Sequence, residues 1–434
     1  MKPSNANETS LPADYHHNFW CLVVDFCFFG IAMAFFNPST VIPSFLTELG
    51  ASTSVIGLTT TIQRAGWLTP QLFAARYLAN KPYKKPYILI PAGISRLMLL
   101  VMAGAIWATQ ATPPGLMIGV VIGVSTIFWL GDGMSSVAWF DFLSKTIPPR
   151  RRGRLTSTGQ TLSGVLGFAA GFVVEWTLGR SGPDFPNNYA LLYLLGFGML
   201  AVSFTAISQG REPKGHATRS IPRWSTYVRQ LVGVLKADRA FRRYVLTRQI
   251  FNLSALATPF YMTYALEKLG LPTQVAGRYT AIGVVGTIIS ALLFGWANER
   301  HGSHTAMTLS LFANASVPAL ALLIPRVLGD PTMLAWGYGG VFLAYNLAMG
   351  SFMPSWIAYI LELAPEAERP IYVGMTNTFN SVSALVSTLG GLILQWSGQN
   401  YVLLFTLAAL GTLMALPMLL TLPKLRGAEG EVGG

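Results

Sequence analysis

Long apolar runs alternate with short polar segments along the whole chain, and this pattern predicts membrane-spanning helices. A helix needs about 20 mostly apolar residues to cross the hydrocarbon core of a bilayer, and every run reaches that length. Because the edges of an open sheet cannot be satisfied in lipid, the predicted fold is all-α. We place twelve transmembrane helices at residues 18–46, 53–79, 86–109, 115–144, 156–178, 189–209, 244–267, 274–298, 305–327, 333–361, 371–394 and 401–422.

The composition excludes a soluble or disordered protein. Of the 434 residues, 52% are hydrophobic and only 11% are charged, whereas a soluble domain carries about 25% charged residues. Coiled coils and collagen-like chains are excluded as well, since each needs a polar or strictly periodic composition. The two cysteines, Cys21 and Cys27, both lie in the first apolar run, where we expect them to face lipid or pack between helices.

The basic residues indicate the orientation of the chain. Lys and Arg outnumber Asp and Glu by 30 to 18, which gives a formal net charge of +12. If the N-terminus is cytoplasmic, 23 of the 30 basic residues lie in cytoplasmic segments or at the cytoplasmic ends of spans, and only four lie in the opposite loops or at the span ends beside them, as the positive-inside rule requires. The charge is therefore a topology signal, and no nucleic acid partner is expected. We predict a multi-pass protein of the cell inner (cytoplasmic) membrane with both termini cytoplasmic.

The two halves of the chain resemble each other in the same reading direction. Three pairs of motifs recur at offsets of 220, 219 and 217 residues, which indicates two six-helix pseudo-repeats. We therefore divide the chain into an N-terminal bundle (1–209), a linker (210–243) and a C-terminal bundle (244–434). The linker carries apolar residues at helical spacing among basic ones, so we predict a cytoplasmic amphipathic helix on the membrane surface. In the three matching pairs, Leu49-Gly50 corresponds to Leu269-Gly270, residues 79–85 correspond to residues 295–302, and Pro148 and Arg152 correspond to Pro365 and Arg369.

At these positions the sequence resembles the major facilitator superfamily of secondary transporters, over nearly its whole length. The best-known signature of that family, G-x-x-x-D-R-x-G-R-R, follows helix 2 and is repeated after helix 8. The second copy keeps Gly295 and Arg300, with Glu299 in place of the Asp. In the first copy Asn80 replaces the Asp and Lys81 replaces the Arg.

The resemblance implies that these loops latch the cytoplasmic side in the outward-open state. A further family turn after helix 4, P-x-x-x-R-G, appears at Pro148 to Arg152. The Arg-centred pattern of proton-coupled members in helix 4 and the Gly-Pro dipeptide of drug/proton antiporters in helix 5 are missing, which argues against a multidrug exporter. The gating residues implied by the resemblance are Asn80, Lys81, Asp141, Arg152, Glu299 and Arg300.

Four ionisable residues fall deep within the predicted spans of the first half: Asp25, Arg64, Arg96 and Asp132. A lone charge in the bilayer is costly, so such residues usually face a cavity or one another. At about 1.5 Å per residue, Asp25 matches Arg96 in depth to within about 5 Å, and Arg64 matches Asp132 equally well.

Two interpretations of the four charges stay open. They either form ion bridges that hold helices 1–4 in register, or an acid carries a coupling proton while an Arg binds an anionic substrate group. Burial favours the protonated form of a carboxyl group, and a nearby guanidinium favours the ionised form. An acid whose Arg partner moves away can therefore exchange a proton during a transport cycle. We rank Asp132 first, because Gly131 and Gly133 flank it, and Asp25 second.

Neutral polar residues within the spans are candidates for lining a substrate cavity, and hydrogen bonding between helices is the alternative. Arg248 lies only four residues inside its span, so we expect it to extend to the membrane surface. The cavity candidates are Gln63, Gln160, Asn252, Asn346, Asn377 and Asn380.

The motifs of catalysis are missing from the sequence. It has no G-x-x-x-x-G-K-[ST] nucleotide loop, no G-x-S-x-G nucleophile motif and no metal-ligand constellation. We therefore predict no enzyme activity and no cofactor. The predicted function is secondary active transport of a small organic solute by alternating access, coupled to protons. The alternative is a membrane sensor or assembly factor of the same fold without transport. The expected partners are a small-molecule substrate, a proton and the lipid bilayer, and a monomer is expected.

Overall fold

The computed structural model describes residues 14–78, 80–214, 233–365 and 368–425, and the regular structure in these ranges is helical throughout. Nine helical stretches of the described residues are long and apolar enough to cross a membrane, and two of them, Pro331–Leu363 and Tyr401–Leu420, each comprise more than one of the helices named below. The all-α polytopic fold is thus confirmed, while the count of twelve spans stays a prediction. Most of the predicted linker helix lies outside the described residues.

The N-terminal half runs back and forth between two faces of the molecule. One face carries the exposed Arg150 and Arg242 and is called the basic face; the other is called the opposite face. The described residues begin at the basic face with Asp14, which pairs with Arg211, so the chain is back at this face after residue 209. The helices of this half are α1 (Tyr15–Phe35), α2 (Val41–Glu48), α3 (Thr53–Leu78), α4 (Lys85–Thr109), α5 (Pro114–Thr146), α6 (Pro149–Leu178) and α7 (Asn187–Gln209).

The C-terminal half follows the same course with more interruptions. A 3-10 segment, Asn252–Leu256, follows α8, and a π-helical segment, Met353–Ile357, precedes α14. Pro354 lies in the π-helical segment, where its missing N–H cannot continue an α-helical ladder. The helices are α8 (Arg239–Phe251), α9 (Phe260–Glu267), α10 (Val275–His301), α11 (Ser303–Val327), α12 (Pro331–Gly337), α13 (Gly339–Gly350), α14 (Ala358–Leu363), α15 (Arg369–Ser383), α16 (Leu385–Trp396), α17 (Tyr401–Leu413) and α18 (Ala415–Leu420).

Equivalent local geometry recurs at the repeat positions. Gly50 and Gly270 both have positive φ, +71° and +63°, a conformation that glycine adopts without the steric cost of a Cβ. The Arg152 guanidinium donates to the carbonyl oxygen of Ser144, eight residues earlier. The Arg369 guanidinium likewise donates to the carbonyl oxygen of Leu361, also eight residues earlier. In both halves the arginine therefore satisfies a carbonyl at the end of the preceding helix.

The buried apolar residues show where the two halves meet. One cluster extends across both halves towards the opposite face and includes Phe45 and Phe260. Towards the basic face each half has its own cluster, around Phe142 in the first half and around Trp356 in the second. The two halves therefore share a core at the opposite face and have separate cores at the basic face.

Glycines let the helices of the two halves approach closely on the side of the opposite face. Gly57 of α3 abuts the carbonyl of Ser387 on α16, and Gly391 of α16 abuts the carbonyl of Thr53. The Thr53 hydroxyl donates to the Gly391 carbonyl at 3.0 Å. A second close crossing joins α6 to α10 beside Gly277. Within the described ranges, no hydrogen bond or ion pair joins the halves at the basic face, so the molecule is closed at the opposite face only.

Candidate functional site

Asp25 of α1 is buried inside the N-terminal half and held by neutral donors. Its carboxylate accepts hydrogen bonds from the Trp139 indole on α5 at 2.7 Å and from the Ser203 hydroxyl on α7 at 2.6 Å. Arg96 influences it over a longer distance. Three helices therefore meet at this carboxylate.

Arg96 of α4 and Asp132 of α5 form the buried ion pair of this half. The guanidinium nitrogen Nη1 lies 3.7 Å from the carboxylate, and each side chain is 9% exposed. Glycine on both sides of Asp132 permits this placement: a Cβ at Gly131 would lie 2.8 Å from the Pro91 carbonyl, and one at Gly133 would lie 2.6 Å from the Trp67 carbonyl. The glycines thus bring α5 against α4 and α3 at the level of the pair.

This ion pair differs from the pairing that helix depth suggested. Depth matched Asp25 with Arg96 and Arg64 with Asp132, whereas the structure joins Arg96 to Asp132. Depth along a helix fixes only the height of a side chain. The rotation of each helix about its axis decides which neighbour the side chain faces.

Arg64 of α3 faces the C-terminal half instead. Thr61, one turn earlier, donates to the carbonyl of Ala384 at 2.7 Å, so this side of α3 is turned towards α16. The side chain of Arg64 interacts with the hydroxyl of Tyr345 on α13, and its charge acts on Arg248 of α8. Among the described residues it has no carboxylate partner.

Arg248 does not extend to the membrane surface, contrary to the expectation from its position. Its guanidinium carbon lies 4.8, 4.6 and 4.7 Å from the ring centres of Phe251, Phe352 and Trp356. Its Nε and Nη1 atoms are buried and find no hydrogen-bond partner in the described ranges. The sequence offered no signal for this setting, since Phe352 and Trp356 come from a distant segment around the π-helical turn.

The amide side chains expected to line a cavity take different roles. Asn252 donates to Asn380 at 3.1 Å and so links the interruption after α8 to α15. Asn346 donates to a carbonyl of its own helix at 2.9 Å. Asn252 and Asn380 therefore hydrogen-bond two elements together, as the alternative interpretation holds. Of the other three, Gln63 and Asn377 are half-buried and Gln160 is exposed.

The gating residues implied by the resemblance lie apart in this structure. Asn80, Glu299 and Arg300 are exposed, and none of them bonds to the other half within the described residues. Lys81 lies over a neighbouring tyrosine ring at 5.2 Å, and Arg152 caps the end of α5. This arrangement is what a latch at the basic face would show while that face is open.

A charged network at the basic face depends on Glu212, which sequence analysis did not single out. Asp141 pairs with Lys145 at 2.7 Å, and Lys145 pairs with Glu212 at 3.1 Å. The Glu212 carboxylate also accepts hydrogen bonds from the backbone N–H groups of Lys84 and Lys85, at 2.7 and 2.8 Å. An acid is favourable at a helix N-terminus, so Glu212 caps α4 from the segment after α7.

An ion pair across the two halves contributes to closure of the opposite face. Arg278 of α10 donates through Nε to Glu175 of α6 at 3.1 Å, and its guanidinium carbon lies 3.9 Å from the Trp336 ring centre. Both charged side chains are mostly buried, 16% and 21% exposed. The pair can therefore stabilise the closed arrangement more than an exposed pair would.

Replacing Glu175 with Gln is expected to shift the molecule towards opening at the opposite face. A hydrogen bond to a charged group contributes about 1.5–3 kcal/mol, so the open fraction should rise by about tenfold or more. Spin labels at Ser181 and Gly329, both exposed, would report a longer distance between the halves. Glu368→Gln, an exposed acid at the basic face, is the control. An unchanged distance distribution in Glu175→Gln would contradict this role.

Comparison of the sequence with known proteins gives a family match and distant relatives. The profile described as Major Facilitator Superfamily matches residues 249–433. Relatives from Mycobacterium tuberculosis and Mycobacterium bovis, both named uncharacterized proteins, are 26% identical over 339 residues, or 76% of this chain. The chain spans 64% of the length of these curated relatives.

The fold matches solved transporters over nearly the whole chain. A D-xylose-proton symporter superposes with a TM-score of 0.68 at 16% identity, covering 95% of this chain and 99% of the symporter. A variant of the nucleoside transporter NupG superposes with a TM-score of 0.67 at 15% identity, covering 94% of this chain and 98% of the transporter. A bacterial homologue of the iron transporter ferroportin, in its inward-facing state, superposes with a TM-score of 0.66 at 14% identity, covering 93% of this chain and 97% of the homologue. The chain therefore has a transporter fold.

Proposed function

We propose that this chain belongs to the major facilitator superfamily, whose profile matches residues 249–433, and that it moves a small organic solute across the cytoplasmic membrane by alternating access. The one-sided closure of the molecule supports this proposal most directly. The halves are packed together at the opposite face and separate at the basic face, so a midplane site would be reached from the basic side. In this proposal the basic face, with both termini, is cytoplasmic.

We propose further that protons drive the transport and that Asp132 carries the coupling proton. The Arg96–Asp132 pair is buried and lies on two helices of one half, and Asp25 is a second buried acid in the same half. If the Arg96 side chain turns away from Asp132 during the transport cycle, towards Ser95 and the Ala92 carbonyl to which it also donates, the carboxylate loses its compensating charge and takes up a proton. The return of Arg96 would release that proton.

The test uses purified protein in liposomes, a panel of sugars, nucleosides and carboxylates, and an imposed pH gradient. Wild-type protein should accumulate at least one of these solutes. Asp132→Asn should lose gradient-driven accumulation by about a hundredfold or more, since about a hundredfold is the lower end of the range for a positioned proton-transferring group. It should retain exchange of internal for external solute, because exchange needs no net proton transfer.

The matched control is Asp184→Asn, an exposed acid between α6 and α7, which should leave accumulation unchanged. Wild-type protein that accumulates and exchanges no solute in the panel would count against transport and favour the sensor or assembly factor. Wild-type accumulation that persists in Asp132→Asn would count against coupling through this residue.

A further inference from the structure

Two arginines from different halves influence each other electrostatically, and neither forms an ion pair with an acid among the described residues. Arg64 is near the middle of α3, and Arg248 is one turn before the interruption after α8. The charge of Arg64 acts on Arg248, and the side chain of Arg64 interacts with the hydroxyl of Tyr345. These three residues are called the arginine cluster. It is assembled from α3, α8 and α13, so it lies between the halves.

The acids deep in the spans do not neutralise the arginine cluster. Asp132 is paired with Arg96, and Asp25 is held by Trp139 and Ser203, all within the N-terminal half. Among the described residues, neither Arg64 nor Arg248 forms an ion pair. Two like charges in a medium of low dielectric constant repel each other strongly, so the cluster carries an excess of positive charge that an anion would relieve.

The surroundings of Arg248 satisfy the faces of its guanidinium group but not its edge. The aromatic rings of Phe251, Phe352 and Trp356 lie within 4.8 Å of the guanidinium carbon, which is a favourable cation–π setting. The N–H groups point outwards in the plane of the group. Those on Nε and Nη1 are buried and unpaired in the described part of the chain, although a buried donor normally has an acceptor.

The geometry points to the arginine cluster as a binding site for one carboxylate or phosphate group of the transported solute. Such a group offers two acceptor oxygens in the plane that a guanidinium fork requires. The rings around Arg248 would then contact the apolar part of the solute. Because the cluster bridges the halves, binding there would pull them together. This inference names a substrate class for the proposed transporter and therefore rests on that function.

The test measures binding directly, with the full chain in detergent and without transport. The probes are benzoate and phenyl phosphate, with benzamide as the uncharged analogue of benzoate. A ligand that binds only the folded form raises the melting temperature in a saturable way, and we expect this from at least one of the two anions but not from benzamide. Removing a charge-assisted hydrogen bond should weaken Kd by about tenfold or more in Arg248→Gln and in Arg64→Gln.

Three controls keep the result interpretable. Arg180→Gln removes an exposed arginine at the opposite face and should bind the anion like the wild type. Arg248→Lys and Arg64→Lys keep the charge and should bind with intermediate affinity, which a merely misfolded site would not do. The melting temperature of each variant without probe shows whether it is folded.

Three results would overturn the inference: neither anion stabilises the wild type, benzamide stabilises it equally, or anion binding survives in Arg248→Gln. If no anion binds while a neutral solute is accumulated in liposomes, the inference fails and the proposed transport function stands. If an anion binds through both arginines while no solute moves, the binding site stands and the transport function fails.

Discussion

Replacing Arg96 with Leu is expected to lower the free energy of unfolding by about 3–5 kcal/mol, the range for removing one partner of a buried ion pair. The variant leaves Asp132 buried without its compensating charge, since both side chains are only 9% exposed. Gradient-driven transport should be lost at the same time. The midpoint of SDS-induced unfolding measures the first effect, and solute accumulation in liposomes measures the second.

A double variant separates a structural role of the pair from a role in coupling. Arg96→Leu combined with Asp132→Asn removes both charges, and replacing a whole buried pair is often neutral for stability. We therefore expect stability to recover while accumulation stays lost. Transport by the double variant at the wild-type rate would mean that the pair only holds helices in register. Arg180→Leu, at an exposed arginine, controls for the loss of a basic residue.

The second large effect is expected from Gly391→Val on α16. A Cβ at this position would collide with the Thr53 carbonyl and lie 2.7 Å from the Cα of Ser54. These are backbone atoms that cannot rotate away, so α3 and α16 must separate. Overpacking costs about 1–3 kcal/mol, which corresponds to a shift of about 5- to 150-fold in the balance between closed and open states. Transport should fall because the opposite face no longer closes.

Thiol labelling can detect this opening. Thr40 is fully buried and its hydroxyl lies 2.7 Å from that of Thr280 in the other half, so Thr40→Cys should resist an impermeant thiol reagent. In Gly391→Val the same cysteine should react. The buried Cys21 and Cys27 are replaced by Ser beforehand. Gly119→Val, where a Cβ meets nothing within 4 Å, is the matched control. Equal labelling in both variants would show that close packing at Gly391 does not hold the face closed.

The fold could be predicted in outline because it depends on patterns that survive in a single sequence. Apolar runs of spanning length determine the helices, since bilayer thickness sets their length. The repeat was visible because the same local chemistry is needed twice: a glycine at positive φ in Gly50 and Gly270, and an arginine that caps a helix end in Arg152 and Arg369.

The candidate site could be predicted only as a set of residues. The cost of a charge in lipid singled out Asp25, Arg64, Arg96 and Asp132. Their partners did not follow, because helix depth leaves the rotation of each helix open. Arg248 was misjudged for the same reason. Its height allowed an extended side chain, but the rings of Phe251, Phe352 and Trp356, from α8 and from the chain at and just before the π-helical segment, lie against it. Glu212 was missed because it reaches α4 from 128 residues away along the chain.

The sequence by itself determined that this protein is an all-α polytopic membrane protein, and it predicted a repeated six-helix unit and the charges that lie within the spans. The tertiary structure alone decided that Arg96 pairs with Asp132, that Arg64 is turned towards the C-terminal half, and that the opposite face is the closed one. It also showed that neither Arg64 nor Arg248 has an acid partner among the described residues. The reason is physical: transfer into lipid depends on each residue's own chemistry and position in its helix, whereas pairing and closure depend on how helices distant in sequence are rotated against one another.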